Sequence, residues 1–151
     1  MDINKNKTYK VLARKYRPRT FEDMIGQEAM VHTLRNAFEV SRVAHAFMLT
    51  GVRGIGKTTT ARLLARALNY ESDNIEGPSV DLSVSGKHCD LIMNSSHMDV
   101  LEIDAASRTG VENMRELLDG VRYAPASARF KVYIIDEVHM LSTGAFNALL
   151  K

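Results

Sequence analysis

Three glycines, a lysine and a threonine fall within eight residues, Gly51 to Thr58, in the order GVRGIGKT. The pattern G-x-x-x-x-G-K-[ST] suits a polyphosphate. Gly51, Gly54 and Gly56 let the backbone turn tightly and aim successive N–H groups at phosphate oxygens. Lys57 sets a positive charge against the β- and γ-phosphates, and the Thr58 hydroxyl is a ligand for Mg²⁺. Val52, Arg53 and Ile55 complete the loop, and Thr59 follows at the start of a helix whose positive end faces the same anion. The alternative is a chance glycine-rich turn. Against it stand the apolar strand before the loop and the amphipathic helix after it.

A second element carries matching chemistry. KVYIIDEVH runs apolar through Val132, Tyr133, Ile134 and Ile135 and then ends in two carboxylates. Such a run suits a strand buried on both faces, and ligands of open α/β sheets sit at the C-terminal ends of strands. Asp136 is therefore placed to hold Mg²⁺, directly or through water. Glu137 is placed to orient or deprotonate a water that attacks a γ-phosphate. An acidic turn that merely ends a strand is the bland alternative. A phosphate loop together with paired carboxylates points to hydrolysis and not to binding alone.

Regular elements must position these groups. GQEAMVHTLRNAFEV carries Val31, Leu34 and Phe38 on one helical face, and AHAFMLT (44–50) reads as a short buried strand. KTTTARLLARALN repeats Ala61, Leu64, Ala67 and Leu68 at helical spacing. DVLEID (99–104) reads as a second strand and RFKVYIID (129–136) as a third. Between them TGVENMRELLDGVRY predicts a helix with Val111, Met114, Leu118 and Val121 inward. Thr109 and Glu112 form a capping box at its start, and Arg108 beside that helix end is a possible grip on a nucleic-acid phosphate. Strands alternating with helices predict an α/β fold with a parallel sheet.

Composition narrows the class. At 151 residues, 45% hydrophobic and 25% charged, the chain suits one globular domain. No apolar run approaches the ~20 residues of a membrane span, and the polar start MDINKNKTYK is not a secretory signal. The single cysteine, Cys89, excludes an internal disulfide and fits a reducing, cytoplasmic setting. Net charge is only +2, but residues 1–20 set Lys5, Lys7, Lys10, Arg14, Lys15, Arg17 and Arg19 against Asp2 alone. That basic segment reads as a solvated arm or as a contact for phosphate or nucleic acid. His45 and His139 read as packed or surface residues. Cys89 lies between His88 and His97, in a polar stretch (69–98) far longer than the ~2–6 residues usual for connections in α/β units.

With these motifs in place, the chain resembles the clamp-loader ATPase family of bacterial DNA polymerase III, the gamma/tau subunits. The likeness runs in the family's order through LARKYRPRTFEDMIGQE, HAFMLTGVRGIGKTTTARLLARALN, LEIDAASRTGVENMRELL and KVYIIDEVHMLSTGAFNALLK. It covers nearly all of the chain except residues 70–98. The resemblance implies a P-loop NTPase core of the AAA+ class, with residues 21–151 a partial nucleotide-binding domain that stops before the remaining strands and the helical lid. It implies ATP with Mg²⁺, and a hetero-oligomer with the other clamp-loader subunits that loads the sliding clamp on primed DNA during replication, with no membrane partner. An N-terminal fragment of this kind is expected to be inactive alone and prone to aggregate. In this family the segment before the first helix helps to hold adenine, which implies Tyr16, Pro18, Ile25 and Gly26 as pocket residues and gives segment 1–20 a share in the pocket; packing explains them equally well. Another AAA+ DNA motor, such as a branch-migration helicase, shares the two motifs, but LEIDAASRTGVENMRELL looks specific to the clamp loader. A non-hydrolysing scaffold subunit is disfavoured, because Lys57, Thr58, Asp136 and Glu137 are all present.

The resemblance also implies a small zinc module held by four cysteines in residues 70–98. Counting back from LEID puts Cys89 on the last ligand, Gly86 and Ser83 on the two before it, and Tyr70 on the first. Serine, glycine and tyrosine do not supply the thiolates of a tetrahedral structural zinc, and with His88 and His97 as substitutes a fourth ligand is still missing. The module is therefore expected to be degenerate and without zinc. Losing the ~10–16 kcal/mol of apparent folding free energy that zinc supplies to a small site should leave the segment loose.

Overall fold

The structure, a computed structural model, describes residues 17–24, 26, 28–44, 47, 57–106, 116–117, 119–120 and 123–150. In chain order these form α1 (Glu28–Glu39), α2 (Lys57–Leu68), the short α3 (Cys89–Met93), β1 (Val100–Asp104), β2 (Val132–Asp136), a 3₁₀ turn (Val138–Met140) and α4 (Thr143–Leu150). β1 and β2 pair in parallel, with Val100 opposite Val132 and Asp104 opposite Asp136. Helices and a parallel pair of strands make an α/β arrangement, as the alternation of patterns predicts.

Helix α1 follows the expected stripe. Leu34 is buried, and Met30, Val31 and Phe38 pack beside it against the same cluster. Its end is closed by Ser41, whose left-handed φ of 54° lets the Arg42 N–H reach the Ala37 carbonyl at 2.9 Å. Phe21, ahead of the helix, is buried in this cluster with Leu63 and Leu64 of α2.

Helix α2 is buried over a wider arc than the stripe Ala61, Leu64, Ala67 and Leu68 predicts. Thr60, Leu63, Leu64, Ala65, Arg66 and Ala67 are all buried. The reason is that α2 is covered from two directions. Leu63, Leu64 and Ala67 face α1, Phe21 and the 70–89 segment, whereas Ala65 meets Ile92, Val100, Val132 and Ile134 on the sheet side. Even Arg66 is enclosed; its guanidinium donates to the carbonyls of Arg19 and Leu82.

The two observed strands are shorter than the predicted ranges 99–104 and 129–136. β2 was expected to be buried on both faces; its residues Val132 to Ile135 are only half-buried and Asp136 is exposed. Among the described residues its cover comes from β1 and from α2, on one edge and one face. The strand expected over 44–50 lies outside the described residues apart from Ala44 and Phe47. The helix expected over 109–123 also lies largely outside them; Glu116, Leu117, Asp119 and Gly120 are helical, and Leu117 is buried.

Residues 70–98 depart most from expectation. The segment is packed, not loose: Tyr70, Val80, Leu82, Cys89 and Ile92 are buried, four of them in the same cluster as α1 and α2. Apolar burial of this kind stabilises by about 25 cal/mol per Å² and needs no metal. The segment is also tied to the entry of β2. Asn69 exchanges two hydrogen bonds with the Phe130 backbone, at 2.7 and 3.0 Å. Arg129 donates to the carbonyls of Leu68, Tyr70 and Glu76. The carboxylate of Asp99 accepts from the N–H groups of Ala126, Ser127 and Ala128 at 2.7–2.8 Å, and its carbonyl accepts from Val132 N–H. Three anchors thus fix where β2 begins.

Candidate functional site

The candidate site residues lie on the first turn of α2 and at the C-terminal ends of the two strands. Lys57 and Thr59 are half-buried and Thr58 is exposed on that first turn. The loop before them, Gly51, Val52, Arg53, Gly54, Ile55 and Gly56, lies outside the described residues, as do Tyr16, Ile25, His45, Arg108, Thr109 and Glu112. Pro18 is half-buried, and Gly26 is exposed with φ +79°, a conformation that favours glycine.

Two links fix α2 against the sheet. The first is apolar, Ala65 against the β1 and β2 side chains. The second is a two-pronged ion pair one turn beyond Thr58. Arg62 Nε lies 2.5 Å from Glu102 Oε1 and Nη2 lies 3.0 Å from Oε2, with side-chain exposures of 12% and 23%. A guanidinium fork on a carboxylate fixes orientation as well as distance. Burial acts to raise the Glu102 carboxyl, but hydrogen bonds from Arg62 and Ser95, with the positive charges of Arg62 and Arg17, together outweigh it and hold it below the usual range. The same contact raises Arg62.

At the other end, the register sets Asp104 directly beside Asp136, on neighbouring strands about 4.8 Å apart. Ala105 N–H bonds to the Asp136 carbonyl at 3.0 Å, and Ala106 N–H to Asp104 Oδ1 at 2.9 Å, so the chain leaving β1 is pinned to the end of β2. Glu137 then breaks the strand. Its φ of 55° and ψ of 43° are left-handed, a conformation that costs a non-glycine residue about 1–2 kcal/mol. Strain of this kind persists where surrounding contacts hold it and gathers at functional sites. Here Glu137 N–H bonds to Asp136 Oδ1 at 3.0 Å, and its Oε2 lies 3.3 Å from His139 Nε2.

Asp136 and Glu137 therefore stand together at a strand end, as their sequence position suggests. The sequence reading did not single out Asp104, Arg62 or Glu102, and it left His139 as a packed or surface residue. His139 is exposed and does face Glu137. For Asp104 a signal existed: LEID and YIID are strands with the same apolar-to-acid ending. The strand ends carry the carboxylates of Asp104, Asp136 and Glu137, and the start of α2 carries the Thr58 hydroxyl, oxygen groups of the kind a hard divalent cation such as Mg²⁺ takes.

Comparison with known proteins gives the class. The sequence profile of the family described as DNA polymerase III, delta subunit, matches residues 26–151, and the chain belongs to that family. Within polymerase III the similarity is to tau and gamma subunits. The chain is 52% identical over 144 residues to DNA polymerase III subunit tau of Escherichia coli (strain K12), and 47% over 144 residues to subunit tau of Bacillus subtilis (strain 168). It is 51% identical over 143 residues to subunit gamma of Buchnera aphidicola subsp. Acyrthosiphon pisum. Each match covers 95% of this chain but only 22%, 25% and 38%, respectively, of the relative. The chain thus spans well under half the length of these relatives. The resemblance to bacterial tau/gamma subunits drawn from the motifs is shown. No helix among the described residues is long and apolar enough to cross a membrane.

Proposed function

We propose that this chain is the nucleotide-binding core of a clamp-loader ATPase of the AAA+ class, working in the cytoplasm. In this reading it binds and hydrolyses ATP within a hetero-oligomer of loader subunits that places the sliding clamp on primed DNA. The observation that carries it is that α2, which begins with Lys57 and Thr58, packs on β2, which ends in Asp136 and is followed at once by Glu137. Lys57 neutralises charge on the β- and γ-phosphates, with the Gly51–Gly56 loop and Thr59 around them. Thr58 and Asp136 would hold Mg²⁺, which supplies charge neutralisation at the phosphates when bound. Glu137 orients the attacking water. The basic segment 1–20, with Pro18 and Gly26, contributes to the adenine side.

ATP binding favours the assembly that opens the clamp and grips DNA, and hydrolysis releases it. The test is Glu137→Gln in an assembled loader supplied with clamp and primed DNA. ATP should stay bound while turnover stops, because the amide cannot take a proton from water. Turnover at the wild-type rate refutes the role given to Glu137. Wild-type turnover that clamp and primed DNA do not stimulate refutes the clamp-loader reading.

A further inference from the structure

The four positions that correspond to zinc ligands do not fit the metal. Tyr70 is buried, and its hydroxyl donates to the Val84 carbonyl at 2.8 Å. Its ring lies against Gly86, where an added Cβ would meet two ring carbons at 3.2 Å and the Glu71 carbonyl at 2.8 Å, so a cysteine has no room there. Ser83 is turned away to Asp81, its hydroxyl 2.6 Å from Oδ1. Only Cys89 carries a thiol, which accepts the Gly86 N–H at 3.1 Å. Among the described residues no group of three His, Cys, Asp or Glu side chains is arranged to hold a metal ion.

In its place runs a chain of hydrogen bonds with a forced direction. The Asp99 backbone N–H can only donate, and it points at His97 Nδ1, 3.0 Å away. His97 Nδ1 is therefore bare and the ring proton sits on Nε2. That Nε2–H donates to His88 Nδ1 at 2.8 Å, which leaves the His88 proton on Nε2, 3.3 Å from Glu71 Oε2. Both rings are buried and meet edge to face. Each needs to be neutral for the direction to hold. Burial, the largest cause, and the repulsion a charge on His88 would exert lower His97, against the opposing charge of Asp99. Glu71 at the outer end is also 3.5 Å from Lys87 Nζ.

We propose that residues 70–98 are fastened without metal, by the ring of Tyr70 in the core and by the directed chain Asp99–His97–His88–Glu71. The two devices do a zinc ion's work of tying distant parts of an irregular segment together. The inner end of the chain is Asp99, the same residue that gathers residues 126–128 and accepts the Val132 N–H. The fastening therefore reaches β2, the strand that ends in Asp136 just before Glu137.

The experiment is elemental analysis, melting with chelator, and hydrogen exchange on the purified protein. Zinc should be far below one atom per chain, and chelator should leave the melting temperature unchanged. Stoichiometric zinc, or a melting temperature that chelator lowers, overturns the proposal. His97→Ala should speed amide exchange at least tenfold across 71–88 and 126–128. His97→Asn is the gentler variant: its amide oxygen replaces Nδ1 as acceptor for Asp99 but cannot reach His88. It should speed exchange at least tenfold across 71–88 while 126–128 stays protected. Unchanged exchange across 71–88 in the asparagine variant overturns the role of the histidine chain.

Discussion

Glu102→Gln is the sharpest probe of how the helix is held on the sheet. The change keeps volume and one acceptor oxygen but sets an amide N–H₂ against the Arg62 guanidinium. In the wild type two prongs at 2.5 and 3.0 Å join the pair, and each side chain is less than a quarter exposed. Hydrogen bonds to charged groups are worth about 1.5–3 kcal/mol each, and stranding one partner of a fully buried pair costs about 3–5 kcal/mol. Partial exposure reduces this to about 2 kcal/mol. In a domain of this size 1 kcal/mol shifts Tm by about 2–4 °C, so Tm should fall by roughly 4–8 °C. The pH dependence is the stricter check. Glu102 lies below its ordinary value of 4.5 when folded, so its contribution is present above 4.5 and is lost as pH falls through the lowered value. The gap between wild type and variant, measured by thermal melts, should therefore be full near neutrality and close in acid. Equal Tm near neutrality, or a gap that persists unchanged in acid, refutes the reasoning.

Lys57→Ala should weaken ATP binding at least tenfold, about 1.4 kcal/mol, and calorimetry giving equal affinities would count against the phosphate role. Gly86→Ala should cost about 1–3 kcal/mol in denaturant melts, because the new methyl meets the Glu71 carbonyl and the Tyr70 ring. Acid should act through Asp99 as well. Burial pushes its carboxyl up, but the N–H groups of Ala128, Ala126 and Ser127 together outweigh this and hold it at about 2, below the ordinary 3.8. Its stabilisation is present above 3.8 and is lost as pH falls from there through about 2, so Asp99→Asn should melt lower near neutrality and lose less on acidification. Parallel acid titrations of Tm for the two proteins decide it.

What the sequence made legible was periodic or local. The 3.6-residue stripe of α1, the two apolar strands with acidic ends and the carboxylate pair Asp136–Glu137 each depend on neighbours in the chain. What it hid depends on partners far apart. Leu63, Ala65 and Arg66 are buried because α2 is covered on two sides, a fact that no stripe on one helix can carry. Arg62 and Glu102 are 40 residues apart, and their pairing needs the packing of α2 on β1. The packing of residues 70–98 is invisible to ligand counting, which shows only that thiolates are missing. The replacement, a tyrosine ring against a glycine and two histidines in line with Asp99, has no spacing signature. Of the candidate site, the carboxylate end and the first turn of α2 are where the motifs led, while the phosphate loop itself lies outside the described residues.

The grip of Arg129 on the end of α2 has a consequence for how the protein is made. The last carbonyls of a helix have no partner inside it. In α2 one of these, at Leu68, is satisfied at 2.9 Å by a guanidinium 61 residues further on. At about 5–20 residues per second of synthesis, roughly 3–12 seconds separate the two. During that interval the nascent helix has no cap from this source, and water must serve its end. A slow stretch of translation between these two points would lengthen the exposure of an amphipathic helix whose apolar face has yet to be covered.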